Sequence, residues 1–126
     1  VLKTPKMKIF IGGDGGYDIH FKDIGNKFGP FDLAILELGQ YNENWKYIHL
    51  LPTYFCQAAK DLKTKKVLPV HNSKFALGKH SWYEPLEIIS KLYKDSNIII
   101  LTPIIGEPLS LNDSTQTFNR WWENKK

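Results

Sequence analysis

Asp14 stands between two glycine pairs, in the run Gly12-Gly13-Asp14-Gly15-Gly16. Glycine tolerates positive φ and lets a cation or a phosphate come close to the backbone. A carboxylate in that setting can bind a cation or act as a base, or it can simply stabilise a turn. The run has neither the GxxxxGK[ST] spacing nor a GxGxxG leading into a helix, so it does not read as a phosphate-binding loop. His71 closes the apolar stretch Val67-Leu68-Pro69-Val70. An imidazole at such a position is either a ligand at neutral pH or a hydrogen-bonded core histidine. His49 lies three residues before Pro52, and reads either as a working group or as a surface histidine near a helix start. Tyr41, Trp45 and Tyr47 either line an apolar pocket beside His49 or cover the core. His20 and His80 read as loop or helix-surface residues. Cys56 has no histidine at a recognisable spacing and reads as a small buried hydrophobe rather than a nucleophile.

The elements that must position these groups follow from periodicity and breakers. Lys8-Ile9-Phe10-Ile11 is β-rich and runs into the glycines. Residues 19–27, with Phe21, Ile24 and the following Phe28 spaced for one face, suit a short helix stopped by Gly29-Pro30. Phe31 to Leu38 is nearly all apolar, the pattern of a strand covered on both faces, and Gly39 ends it. After a polar-aromatic loop, Pro52 suits the first turn of a helix to about Lys63, with Phe55, Ala59 and Leu62 on one face. Lys63-Thr64-Lys65-Lys66 reads as its solvated end, where cations meet the carbonyl dipole. A strand over Val67–Val70 comes next, then a loop, a helix from Pro85 through Tyr93, a strand over Asn97–Thr102 and a further strand over Pro108–Leu111. Trp121-Trp122 belongs to a tail that packs as a final helical turn. Alternating strands and helices predict an α/β layered structure with parallel first strands. Asp14, the loop carrying His49, and His71 then each follow a strand, and parallel strands deliver them to one rim of the sheet.

The chain of 126 residues, 42% hydrophobic and 24% charged, has an ordinary globular mix, which excludes a disordered tail, a collagen-like repeat and a coiled coil. No apolar run approaches the ~18–20 residues of a membrane span. The net charge of +4 is spread along the chain except at Lys63–Lys66 and Lys125-Lys126, and Arg120 is the one arginine. Nucleic acid and anionic membranes are therefore not the expected partners. A single cysteine cannot form an intrachain disulfide, and no leader precedes the first strand, so a reducing, cytoplasmic setting is expected.

The stretch KIFIGGDGGYDIHFKDIGNKFGPFDLAILELGQY, followed by His49-Leu50-Leu51-Pro52, Val67-Leu68-Pro69-Val70-His71 and Glu84-Pro85, resembles the later half of metallo-β-lactamase-fold hydrolases. The branch it resembles holds the N-acyl-phosphatidylethanolamine-hydrolysing phospholipase D and its bacterial relatives, with G-D-[ST]-G-Y and G-P-F-D-L-A segments. The likeness implies two divalent metal ions, zinc suiting the donors. Asp14 would bridge them, His71 would be a terminal ligand, and His49 would be a catalytic, substrate-side histidine. Tyr41, Trp45 and His80 are then the expected substrate-binding residues. The implied reaction is hydrolysis of a phosphodiester, lactone or related ester by metal-bound hydroxide.

Gly15, Glu37 and Asn72-Ser73 depart from the branch, which tends to have Ser or Thr, Pro, and Trp-Gly there. The family's H-x-H-x-D-H motif is nowhere in the sequence. Residues 1–126 are thus expected to be the C-terminal half of an αββα metallo-β-lactamase-type sandwich, a mixed sheet with helices on one side, and inactive alone. The other sheet face, with Phe10, Leu33, Ile35 and Ile99 as candidate lining, is expected to meet the missing N-terminal half or a second copy of the chain. The competing reading is a non-catalytic α/β module for protein association.

Overall fold

A computed structural model describes residues 1–125; Lys126, half of the basic terminal pair, lies outside the described residues. Five strands form one mixed sheet: β1 (Leu2–Lys3), β2 (Lys8–Ile11), β3 (Leu33–Glu37), β4 (Lys66–Val70) and β5 (Ile99–Ile100). They lie in chain order across the sheet. β1 is antiparallel to β2, and β2, β3, β4 and β5 are parallel to one another. The helices α1 (His20–Phe28), α2 (Pro52–Asp61) and α3 (Glu84–Leu92) are the crossovers between the parallel strands.

All three helices contribute to one core. Phe21 of α1, Phe55, Cys56, Ala58 and Ala59 of α2, and Leu86 and Ile89 of α3 are buried with Phe10, Ala34, Leu36 and Val67 of the strands. Strand side chains alternate between faces, and the register pairs Phe10 with Ala34 and Ala34 with Val67. Phe10 therefore faces the helices, which corrects its expected place on the uncovered face.

Ile9 and Leu33 lie on the opposite face in a smaller cluster with Leu101, against which Met7, Ile35, Leu68, Leu109 and Phe118 pack. The C-terminal segment thus covers part of this face, and Leu33 is only 3% exposed. Leu2, Ile11 and Ile99, placed on this face by their register with Ile9, Ile35 and Lys66, stay about half exposed.

Local chemistry explains the boundaries. α2 ends at Asp61 rather than Lys63 because Lys63 turns left-handed, at φ 57°. Its N–H then donates to the Lys60 carbonyl and that of Thr64 to the Ala59 carbonyl, a Schellman closure. Lys63–Lys66 is therefore a helix stop leading directly into β4. Pro69 is tolerated inside β4 because β5 pairs only with Lys66 and Val67, so the missing N–H faces a side where the ladder has ended. No strand forms over Pro108–Leu111. Gln116 instead takes the Ser110 N–H on its side-chain oxygen and donates to the Pro108 carbonyl, giving this backbone a side-chain partner in place of a neighbouring strand. The tail does end in a helical turn, Glu123–Lys125, and Trp122 is buried in the main core.

Cys56 is 1% exposed, and burial pushes its thiol up to about 12. Because the thiolate is the nucleophile, the native protein should not react with a thiol reagent at pH 8, and should release one equivalent of chromophore once denatured. Absorbance readings before and after guanidinium addition check this.

Candidate metal centre at the sheet rim

Three loops leave the carboxyl ends of β2, β3 and β4 at the same edge of the sheet. The first carries Asp14, the second Gly39 to Leu51, and the third begins with His71. Their approach is close enough to dictate residue type. A Cβ on Gly39 would sit 1.6 Å from the His71 carbonyl oxygen, and one on Gly16 would sit 2.0 Å from the Lys46 carbonyl oxygen. Only glycine fits at either place. His71 itself is left-handed at φ 64°, a region a non-glycine residue enters rarely, and this turn carries the chain away from β4.

Asp14, His49 and His71 converge there. Each offers one ligand atom, and the three atoms lie within 4.8 Å of one another. Asp14 Oδ1 stands 4.0 Å from His71 Nε2. The His49 and His71 rings are roughly parallel, with centroids 5.6 Å apart. Asp14 and His71 are solvent-accessible, whereas His49 is largely covered. Together with Gln40, Trp45, Ile48 and Leu77 they line a hollow of about 340 Å³.

Glu37, the last residue of β3, lies behind this trio. It is 2% exposed. Its Oε2 is 2.6 Å from His49 Nδ1, and its Oε1 accepts the N–H of Gly15 at 2.6 Å and that of Leu50 at 3.3 Å. Sequence reasoning registered Glu37 only as a departure from the branch. An acidic residue closing an otherwise apolar strand was the available signal. Gln40 was missed as well; it accepts the Gly78 N–H and donates to the Phe75 carbonyl, strapping the third loop to the end of β3.

The expected substrate residues divide between two hollows. Trp45 lies beside His49, ring centroids 6.3 Å apart. Tyr41 and His80 stack on each other at 4.2 Å and line a neighbouring hollow of about 320 Å³ with Lys79 and Glu84. There the Tyr41 hydroxyl donates to Glu84 Oε1 at 2.7 Å. Burial, and then this hydrogen bond, push that hydroxyl above the ordinary tyrosine range. Tyr47 is 78% exposed and lines neither hollow, and His20 is exposed at the start of α1.

Donor chemistry matches a divalent ion. Zinc takes imidazole nitrogen and carboxylate oxygen at about 2.0–2.2 Å, so two donors on one ion stand at most about 4.4 Å apart. The Asp14–His71 separation of 4.0 Å fits inside that limit. A trio spread over as much as 4.8 Å needs either slight closure or two adjacent ions.

Known proteins are similar to this chain in sequence or in fold. The outer membrane protein RomA of Klebsiella pneumoniae is 57% identical over 68 residues, covering 54% of this chain and 52% of RomA. The N-acyl-phosphatidylethanolamine-hydrolyzing phospholipase D 1 of Caenorhabditis elegans is 32% identical over 89 residues, covering 68% of this chain and 25% of that protein. The chain thus spans about half the length, or less, of these curated relatives. Igni18, a metallo hydrolase from the archaeon Ignicoccus hospitalis, superposes with a TM-score of 0.58 at 21% identity, over 78% of this chain and 39% of its own. A family model for the beta-lactamase superfamily domain matches residues 1–72, a span holding Asp14, His49 and His71. With that match over more than half its length, and with the fold of a metallo hydrolase, the chain belongs to the beta-lactamase superfamily.

Proposed function

We propose that this chain is the C-terminal part of a metal-dependent hydrolase, and that Asp14, His49 and His71 form its share of the active centre. The observation that carries the reading is the meeting of three ligand atoms from three separate loops within 4.8 Å. Asp14 and His71 are the residues that would hold metal, and two divalent ions, zinc among those the donors suit, match a carboxylate with two oxygens. When bound, such ions lower the pKa of water and polarise an ester or phosphoryl oxygen.

His49 is assigned the substrate side. Its ring is fixed from behind by Glu37 and flanked by Trp45, and its free nitrogen can take or return a proton. A phosphodiester, lactone or related ester is the proposed substrate class, supported by the phospholipase D name of one relative. Tyr41 and His80 are assigned to an outer part of the substrate site, where Lys79 supplies positive charge. Two protein ligands leave a zinc ion short of the three that catalytic sites normally provide, so the remaining ligands are proposed to come from an N-terminal half outside these residues. No helix among the described residues is long and apolar enough to cross a membrane. A reducing, cytoplasmic setting is part of the same proposal, and the single buried Cys56 supports it.

In the protein complete with its N-terminal half, His71→Ala should lose metal, whereas His49→Ala should keep it and lose turnover by ~10²–10⁴. Elemental analysis beside steady-state kinetics on an activated phosphodiester and a lactone checks both. Full metal occupancy in His71→Ala, or metal loss in His49→Ala, would overturn the roles.

The partly exposed Leu2, Ile11 and Ile99 support a second part of the proposal, that the far face of the sheet packs against the N-terminal half or a second copy. The 126-residue chain alone should then sediment as a dimer or larger species at micromolar concentration. A clean monomer counts against it.

A further inference from the structure

A carboxylate removed from water needs partners for its oxygens, because burying a charge without them is costly. Glu37, at 2% exposure, has three: the backbone N–H groups of Gly15 and Leu50 on Oε1, and His49 Nδ1 on Oε2 at 2.6 Å. Among the described residues its one ion-pair partner is His49. Gly15 follows Asp14, and Leu50 follows His49 and leads into α2. One side chain on the rigid end of β3 therefore fixes two of the three site loops relative to each other.

We propose that Glu37 is a positioning residue that holds His49 as the Nδ1–H tautomer, leaving the Nε2 lone pair for the centre. An ionised carboxylate can only accept, so at 2.6 Å the Nδ1 must carry the proton. The neutral ring has one N–H, so Nε2 is left as the proton acceptor that the substrate-side role needs. The two oxygens of Glu37 are not interchangeable, since both backbone donors converge on Oε1. That asymmetry distinguishes a tautomer-setting role from a packing role. In Glu37→Gln the amide oxygen must take the place facing the two N–H groups, and the NH2 then faces Nδ1 as a donor. His49 can meet it only by accepting at Nδ1, which moves the proton to Nε2. An isosteric substitution thus inverts the tautomer, whereas a purely space-filling Glu37 would leave it unchanged.

This inference builds on His49 being a working group of the proposed centre, but the tautomer is read without metal or turnover, so the two can fail separately. The test is a long-range 1H–15N correlation spectrum of histidine-labelled, metal-free protein at pH 8, with His49 assigned from a His49→Ala sample. The wild type should show a protonated Nδ1 and a pyridine-type Nε2 at His49, and Glu37→Gln should show the reverse, with its backbone amide spectrum otherwise preserved. An Nε2-protonated His49 in the wild type overturns the proposal, and so does the same tautomer in both proteins. Should Glu37→Gln not fold, the wild-type spectrum alone decides.

Discussion

Parallel pairing of β2, β3 and β4 is the constraint on which the rest of the molecule depends. Strands that run the same way must be joined by crossovers, and α1, α2 and α3 supply them, all packed into one core on one face. The same pairing sends the carboxyl ends of three strands to one edge. Asp14, His49 and His71 are 22 to 57 positions apart in the sequence, and they meet because the ladder leaves their loops nowhere else to go. The close packing at Gly39 and Gly16 follows from that crowding.

The rim is built in two tiers. In front are groups that water can reach, Asp14 and His71. Behind them, Glu37 and Gln40 are buried and hydrogen-bond loop backbone, and Glu37 also holds the His49 ring. Exposed loops carry ordinary thermal freedom, and a site needs its supporting groups held by rigid elements. Here the support comes from the end of β3 and the residues that follow it. The Tyr41–Glu84 hydrogen bond does comparable work further out, joining the second loop to the first turn of α3.

Much of this could be read from residue types. The apolar run ending at Leu38 gave a strand buried on both faces, Pro52 gave a helix start, and the strand-ending positions of Asp14 and His71 placed both at one rim. Other features depended on contacts that no local pattern encodes. Phe10 faces the helices because of its register with Ala34, and register is a property of two strands together. Glu37 looked like an anomaly because its three partners lie 12 to 22 residues away in the sequence. The Pro108–Leu111 stretch had strand-like composition, but it found side-chain partners in Gln116 instead of a neighbouring strand. Tyr41 and Trp45 stand four residues apart in the sequence, yet Tyr41 lines another hollow, with His80 from the third loop, and Trp45 stays beside His49.

The left-handed backbone of His71, at φ 64°, places a folding cost on a residue proposed to hold metal. Holding a non-glycine residue in a sparsely populated region costs on the order of 1–3 kcal/mol. Glycine would adopt the same turn without that cost, and asparagine with less of it. Thermal stability alone would therefore favour glycine or asparagine over histidine here. If His71 holds metal as proposed, the residue at this turn becomes a gauge of whether a protein of this fold keeps that role.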